Sequence, residues 1–253
     1  MMRDDLHELR NGIVGAWSPA AAQYRTGATG WLLEDLSGRG NHGTLTSMDP
    51  ATDWVTSGGY GGLYFDGASD YVDIPSIVIN TSDRPLGISA FVVQDASDVT
   101  EFIFANDQGT GPPLYVDLNN NTMRLFSGGY ATASSAYTWT AGLHHYGWFW
   151  GSDDTVGYYR DGVLLSQTTK SAAGTTVTPT ASIGSSSGLG PLGFGFTGSI
   201  LEVLIHKKFS PLTIPHLHSL GPGGLFTPRR RRIVAPVTAA AGNRRRRFLI
   251  SAA

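Results

Sequence analysis

Phe196-Thr197-Gly198-Ser199-Ile200-Leu201-Glu202-Val203-Leu204-Ile205-His206 is the stretch whose reading decides the fold. In an extended chain successive side chains point to opposite faces. Leu201, Val203 and Ile205 then face one way, and Ile200, Glu202 and Leu204 the other. Both faces are mostly apolar, which is the mark of a central strand covered on both sides. Glu202 is the anomaly, a carboxylate on an apolar face.

Outward from this strand the text keeps the same character. Strand-like pieces are Ile13–Trp17, Leu63–Phe65, Tyr71–Ile74, Leu86–Val93, Phe102–Phe104, Leu114–Leu118 and Met123–Phe126. His145–Trp150, Val156–Tyr159 and Val163–Leu165 continue the series. Turn signals stand between them at Ser37-Gly38, Asp66-Gly67, Ser127-Gly128-Gly129 and Asp161-Gly162. The clearest hairpin runs through Arg160-Asp161-Gly162, because Asp-Gly supplies the positive φ angles of a tight turn. Residues 2–10 suffice for one or two helical turns. Ser210-Pro211 reads as a helix start, with Pro215 interrupting the segment so that only about one or two turns are expected. No period of 20–50 residues repeats, which argues against a solenoid or propeller.

Composition agrees. The 253 residues include 33 Gly, 11% aromatics and only 15% charged residues, a profile of short strands and tight turns. That length fits one sandwich with a sizeable core. The chain has no Cys, so disulfides, thiolate metal sites and Cys nucleophiles are excluded. MMRDDLHELR carries charges where a signal peptide needs an apolar run, and no apolar run approaches the about 18 residues of a membrane span. The net charge of −2 hides an asymmetry. Up to Phe226 there are ten Lys+Arg and twenty acids, a balance of −10; beyond it eight Arg and no acid, a balance of +8. The expected organisation is an N-terminal segment, 1–12, a β-sandwich, 13–227, and an Arg-rich arm, 228–253.

Several motifs occur in a family order. Asp35-Leu36-Ser37-Gly38-Arg39-Gly40-Asn41-His42-Gly43 comes first, then Leu63-Tyr64-Phe65-Asp66-Gly67 with Asp70-Tyr71-Val72-Asp73-Ile74. His144-His145-Tyr146, Tyr158-Tyr159-Arg160-Asp161-Gly162, Phe196–Val203 and Phe209-Ser210-Pro211 follow. Together they resemble the LamG-like domains of the laminin G/concanavalin A-like class over about residues 11–220. The resemblance implies an all-β, two-sheet antiparallel jelly-roll sandwich. It is weaker for function, since this fold serves lectins, adhesion modules, glycosidases and structural parts. Pro215 departs from the family's continuous helix, and Glu202 stands where Asp is common. The resemblance also places Asp35 and Asn41 in an early loop that often holds Ca²⁺ with the last strand.

The chemistry splits accordingly. Glu202 with Asp35 and Asn41 forms a candidate structural Ca²⁺ set; otherwise Glu202 pairs with an Arg or accepts backbone N–H groups. Gly38, Gly40 and Gly43 serve conformations closed to other residues. Paired-carboxylate catalysis needs two acids held on opposite sides of a sugar bond. The only Glu residues are Glu8, Glu34, Glu101 and Glu202, without the alternating run of the glucanases. Asp153-Asp154 reads as a turn. No metalloprotease signature involves the seven His, and the Gly-rich stretch 184–198 lacks a phosphate-loop ending. Tyr146, Trp148 and Trp150 share one strand face, either as core or as a platform for sugars.

The arm carries Arg229, Arg230, Arg231 and Arg232, then Arg244, Arg245, Arg246 and Arg247, each tetrad followed by apolar residues. Clustered Arg suits phosphates or an acidic protein surface. The apolar followers and the lack of interleaved aromatics favour a protein partner over nucleic acid. Such a partner is a capsid or tail subunit, or another copy of the chain. The expected function is a non-enzymatic virion structural or decoration protein, assembled in the host cytoplasm and displayed at the virion surface. Its lectin-like module attaches to surfaces or glycans, and the arm anchors it. The alternatives are a cellular carbohydrate-binding module and, third, a glycan-cleaving enzyme.

Overall fold

The computed structural model describes residues 9–226 apart from 22–24, 28–29, 75–76, 78, 80–83, 96–99, 107–113, 128–132, 171–180, 186–194 and 208–209. The strands in chain order are β1 (Ile13–Trp17), β2 (Arg25–Gly27), β3 (Gly30–Leu33), β4 (Gly43–Thr46), β5 (Trp54–Ser57), β6 (Tyr60–Asp66), β7 (Tyr71–Ile74) and β8 (Leu86–Gln94). They continue with β9 (Thr100–Asn106), β10 (Leu114–Asn119), β11 (Thr122–Ser127), β12 (Ala133–Ala136) and β13 (Leu143–Trp150). The last are β14 (Thr155–Arg160), β15 (Val163–Thr169), β16 (Ala181–Ile183) and β17 (Thr197–Lys207). A short helix α1 (Pro50–Asp53) precedes β5, and α2 (Thr213–Leu220) follows β17.

Two antiparallel sheets form a sandwich. The eight-stranded sheet runs β15-β14-β13-β8-β17-β6-β5, with β1 also paired to β17. The nine-stranded sheet runs β12-β11-β10-β9-β16-β7-β4-β3-β2. As expected, β17 is central: β8 pairs along one side, and β6 and then β1 along the other. Its alternation differs from the simple reading. A bulge between Ile200 and Glu202 inserts one residue, so Ile200, Val203 and Ile205 all enter the core between the sheets. Glu202 and Leu204 fall on the outer side.

The core is filled from both sheets, by Phe65, Val92, Tyr146, Trp148, Trp150 and Tyr158 from one and Val72, Phe104, Val116, Leu125 and Ile183 from the other. A second apolar layer covers the outside of the eight-stranded sheet. There Ile13, Phe149, Tyr159 and Leu204 meet Ile214 and Leu217 of α2, together with Leu9 and Leu225. The Leu9 carbonyl accepts from His206 Nε2 at 2.6 Å, and the Arg10 guanidinium donates to the Leu225 carbonyl. Residues 9–12, expected to be a separate segment, therefore pack into the fold.

Local chemistry explains the turns. Arg160 pairs with Val163 across Asp161 and Gly162, whose φ angles of 51° and 78° are those of the expected hairpin turn. Gly43 is needed for closeness and not for a positive φ: a Cβ there would stand 2.3 Å from Val72 Cγ1. The expected start of α2 shifts. Ser210 lies ahead of it, accepting from Leu212 and Thr213, and the helix begins at Thr213. Pro215 does not interrupt α2. It is the third helical residue, in the first turn, where a backbone N–H has no intrahelical acceptor to lose.

Candidate functional site

The hairpin β10–β11 turns through Asn120 and Asn121, whose φ angles of 46° and 61° are left-handed. Asn tolerates that region better than most residues, so the turn is two residues long and the register is set. Leu114, Val116, Leu118, Met123 and Leu125 enter the core. The outer face of the nine-stranded sheet then receives Tyr115 opposite Phe126, Asp117 opposite Arg124 and Asn119 opposite Thr122.

Strand β9 completes this face through a bulge. Phe104 stands opposite Val116 and Phe102 opposite Asp117, leaving Ile103 unmatched. Ile103 and Phe104 both go to the core, and Phe102 emerges on the outer side. The rings form one cluster. Tyr115 and Phe126 stack with centroids 4.6 Å apart, and Phe102 meets the Tyr115 ring edge-on at 4.9 Å.

Beside the rings lies an ion pair. Arg124 Nε donates to Asp117 Oδ1 at 2.8 Å, and Nη2 donates to Oδ2. The Asp117 side chain is fully buried, whereas Arg124 remains 26% exposed. Burial pushes the Asp117 carboxyl up, against the pull of Arg124; the hydrogen bond to Asp117 in turn raises the guanidinium. One row of this face thus carries the half-buried Tyr115 and Phe126 rings, the next carries Arg124 beside the buried Asp117 and Phe102, and the third carries Asn119, whose amide donates to Thr100 Oγ1. Half-buried aromatic rings beside an oriented donor are a combination that small polar ligand sites use.

The residues expected to hold Ca²⁺ do other work. Asp35 Oδ1 accepts from the Ala16 and Ser37 N–H groups at 3.0 and 2.9 Å; Oδ2 accepts from Ser37 Oγ and the Asn41 N–H at 2.8 and 2.9 Å. Four donors already aim their positive ends at this carboxylate, which does not fit a cation there. Asn41 Nδ2 donates to the Val14 carbonyl, and Trp17 Nε1 to the Asn41 carbonyl. The early loop is thereby tied to β1. Glu202 accepts from the Gly223 N–H at 2.8 Å, one of the outcomes expected for it. Burial pushes its carboxyl up to about 7, against that N–H and the Ser18 hydroxyl. Among the described residues no group of three His, Asp or Glu is placed to hold a metal ion.

Tyr146, Trp148 and Trp150 are fully buried core, so the sugar platform considered for them is not at the surface. His145 is buried on the other side of β13, stacked on Phe91 at 4.1 Å and near His218 at 5.7 Å. His144 bridges Thr140 and Asp161: its Nδ1 lies 2.8 Å from Asp161 Oδ2 and its Nε2 2.9 Å from Thr140 Oγ1. Asp153 and Asp154 lie in the β13–β14 turn, as expected, and Asp154 pairs with Arg84. Arg229–Arg232 and Arg244–Arg247 lie outside the described residues.

No protein-family model matches the chain, and no curated protein matches it. Solved structures do. A Trypanosoma rangeli sialidase in complex with sialic acid superposes with a TM-score of 0.56 at 17% identity, covering 82% of this chain and 33% of the sialidase. The binding domain of Paraclostridial Mosquitocidal Protein 1 gives 0.61 at 9% identity, covering 83% and 52%. A structure of botulinum neurotoxin type C, whose cell entry is described as dependent upon interaction with two ganglioside molecules, gives 0.55 at 9%, covering 85% and 52%. The chain spans a third to about half of these proteins, and at such identities the likeness is one of fold. The fold is a two-sheet antiparallel jelly-roll sandwich. No described helix is long and apolar enough to cross a membrane.

Proposed function

We propose that the chain is a non-enzymatic, lectin-like module of LamG type that binds glycans on the outer face of the nine-stranded sheet. The observation that carries this reading is the Phe102–Tyr115–Phe126 cluster beside Arg124, held by Asp117. Similar folds lend support: the sialidase was solved with sialic acid, and the type C toxin is described with gangliosides. The larger role is a virion decoration protein, with the arm seated on an acidic protein surface of capsid or tail subunits or of neighbouring copies. The charge split of −10 and +8 supports that division of labour.

One observation favours a hydrolytic reading. Thr140, His144 and Asp161 follow the order of a nucleophile, a base and its orienting acid. Arg160 argues against it, because its Nη2 lies 2.6 Å from Thr140 Oγ1 and 2.9 Å from His144 Nε2. The lone pair that would take the hydroxyl's proton faces a permanent cation. This network caps the β14–β15 hairpin, where Asp161 also accepts from the His145 N–H.

The test is a glycan array with the full chain, the Tyr115→Ala variant and the Phe126→Ala variant, each checked for an unchanged fold by circular dichroism. Retention of a glycan class that both variants lose by tenfold or more supports the site. Undiminished binding by both variants moves the site elsewhere, and no retention of any glycan sinks the lectin reading.

A further inference from the structure

We infer that Arg124 selects sugars bearing a carboxylate, an inference that rests on the glycan reading above. A guanidinium carries five N–H groups in one plane. Asp117 takes one side of that fork, through Nε and one N–H of Nη2. Among the described residues Asp117 is the hydrogen-bond partner of Arg124, and both N–H groups of Nη1 remain with the second N–H of Nη2. The free edge between Nη1 and Nη2 matches the spacing of two carboxylate oxygens, the fork-to-fork pairing that Lys cannot reproduce.

The surroundings fix that edge. Asp117 is completely buried, so an incoming carboxylate does not displace it. The two-point contact removes rotation about the last bonds of Arg124, and the planar fork is held ready before a ligand arrives. The cross-strand neighbour along the same face is the Tyr115–Phe126 stack, with ring planes 8° apart. A sugar ring lying on these aromatics brings a carboxylate substituent into reach of the fork. Long-range attraction is not the source of selectivity, because the chain through Phe226 carries a balance of −10. Selection falls to short-range geometry, which a methyl ester of the same sugar lacks: esterification removes the charge and blocks one oxygen.

The experiment measures binding of the full chain by calorimetry to an α-sialoside and a β-glucuronide, to their methyl esters, to a neutral β-glucoside and to acetate. The expected result is a preference of at least tenfold for one or both acids over their esters. Arg124→Lys should abolish that preference while keeping the charge and the fold. The Asp117→Asn/Arg124→Gln double variant, which replaces the ion pair by two neutral amides and leaves no buried charge unpaired, should abolish it too. Equal binding of acids and esters, with glycan binding retained, overturns the inference and leaves the lectin reading standing. Preference that survives in both variants also overturns it, by placing selection elsewhere. Acetate binding as tightly as the sugar acids marks a bare anion site and overturns the sugar part. Failure to bind any sugar removes both the inference and the reading beneath it.

Discussion

A Cβ on Gly147 would stand 2.2 Å from Ile214 Cδ1 and 2.9 Å from its Cγ2. Strand β13 is bare at this point so that α2 can sit directly on the sheet. Gly147→Ala is therefore expected to lower stability by about 1–3 kcal/mol, the usual cost of overpacking. Ile214→Val in the same chain should recover part of that loss, because the two sites share one volume. Denaturant midpoints measure both; an unchanged midpoint for Gly147→Ala would show that α2 is not seated on β13.

His145 makes the protein sensitive to acid. Burial, and then neighbouring His218, push its imidazole down to about 3, from 6.5 in an unfolded chain. Between those values the unfolded chain takes a proton that the folded one refuses. Stability intact above pH 6.5 is thus lost as the pH falls toward 3. His145→Leu should flatten melting temperature against pH across that window, with a limiting effect of roughly 1.4 kcal/mol per pH unit. Parallel profiles for variant and parent would refute this.

Glu202 acts with the opposite sign. Its folded carboxyl titrates at about 7 against 4.5 for an ordinary Glu, so the folded state holds the extra proton between those values. Stability from this group is full below pH 4.5 and lost as the pH rises through about 7. Glu202→Gln keeps an acceptor for the Gly223 N–H and should raise the melting temperature at pH 8 relative to the parent, with little change at pH 4.5. Asp70, pushed up to about 6 by burial, works in the same direction, so part of the slope should remain. A variant less stable than its parent at pH 8 contradicts the account.

Truncation separates the fold from its arm. Leu225 is buried in the outer apolar layer, and the Gly223 N–H satisfies Glu202. A chain ending at Thr227 should melt like the full chain, whereas one ending at Leu220 should lose several degrees. The shorter chains should also lose any partner held by the two Arg tetrads, and the full chain's binding to that partner should weaken with salt. Normal assembly by the Thr227 truncation would end the anchoring role.

The jelly roll was readable because long apolar strands announce themselves. Leu86–Gln94, Leu143–Trp150 and Thr197–Lys207 carry enough branched and aromatic residues to stand out singly. Ala133–Ala136 and Ala181–Ile183 did not, since their small residues become strands only through their neighbours. The bulge at Leu201 was hidden for a related reason: alternation along one chain does not reveal an extra residue opposite a partner. The candidate site was the least readable part. Phe102, Tyr115 and Phe126 come one to a strand, and only cross-strand register assembles them. Tyr146, Trp148 and Trp150 gave the stronger signal along the sequence, and that row is core.

Leu9 and Phe226, the first and last described residues, both pack on the outside of the eight-stranded sheet, while the Tyr115–Arg124 face lies outside the other. The molecule therefore has a back and a front. A partner that seats on Leu9 or Phe226 leaves the proposed glycan face turned away from it, and a row of copies held this way would become a brush of aligned sites. A polymer carrying repeated sugars would meet that brush at many points at once. Linked contacts of this kind strengthen attachment by about 10²–10⁴ without any change in a single site.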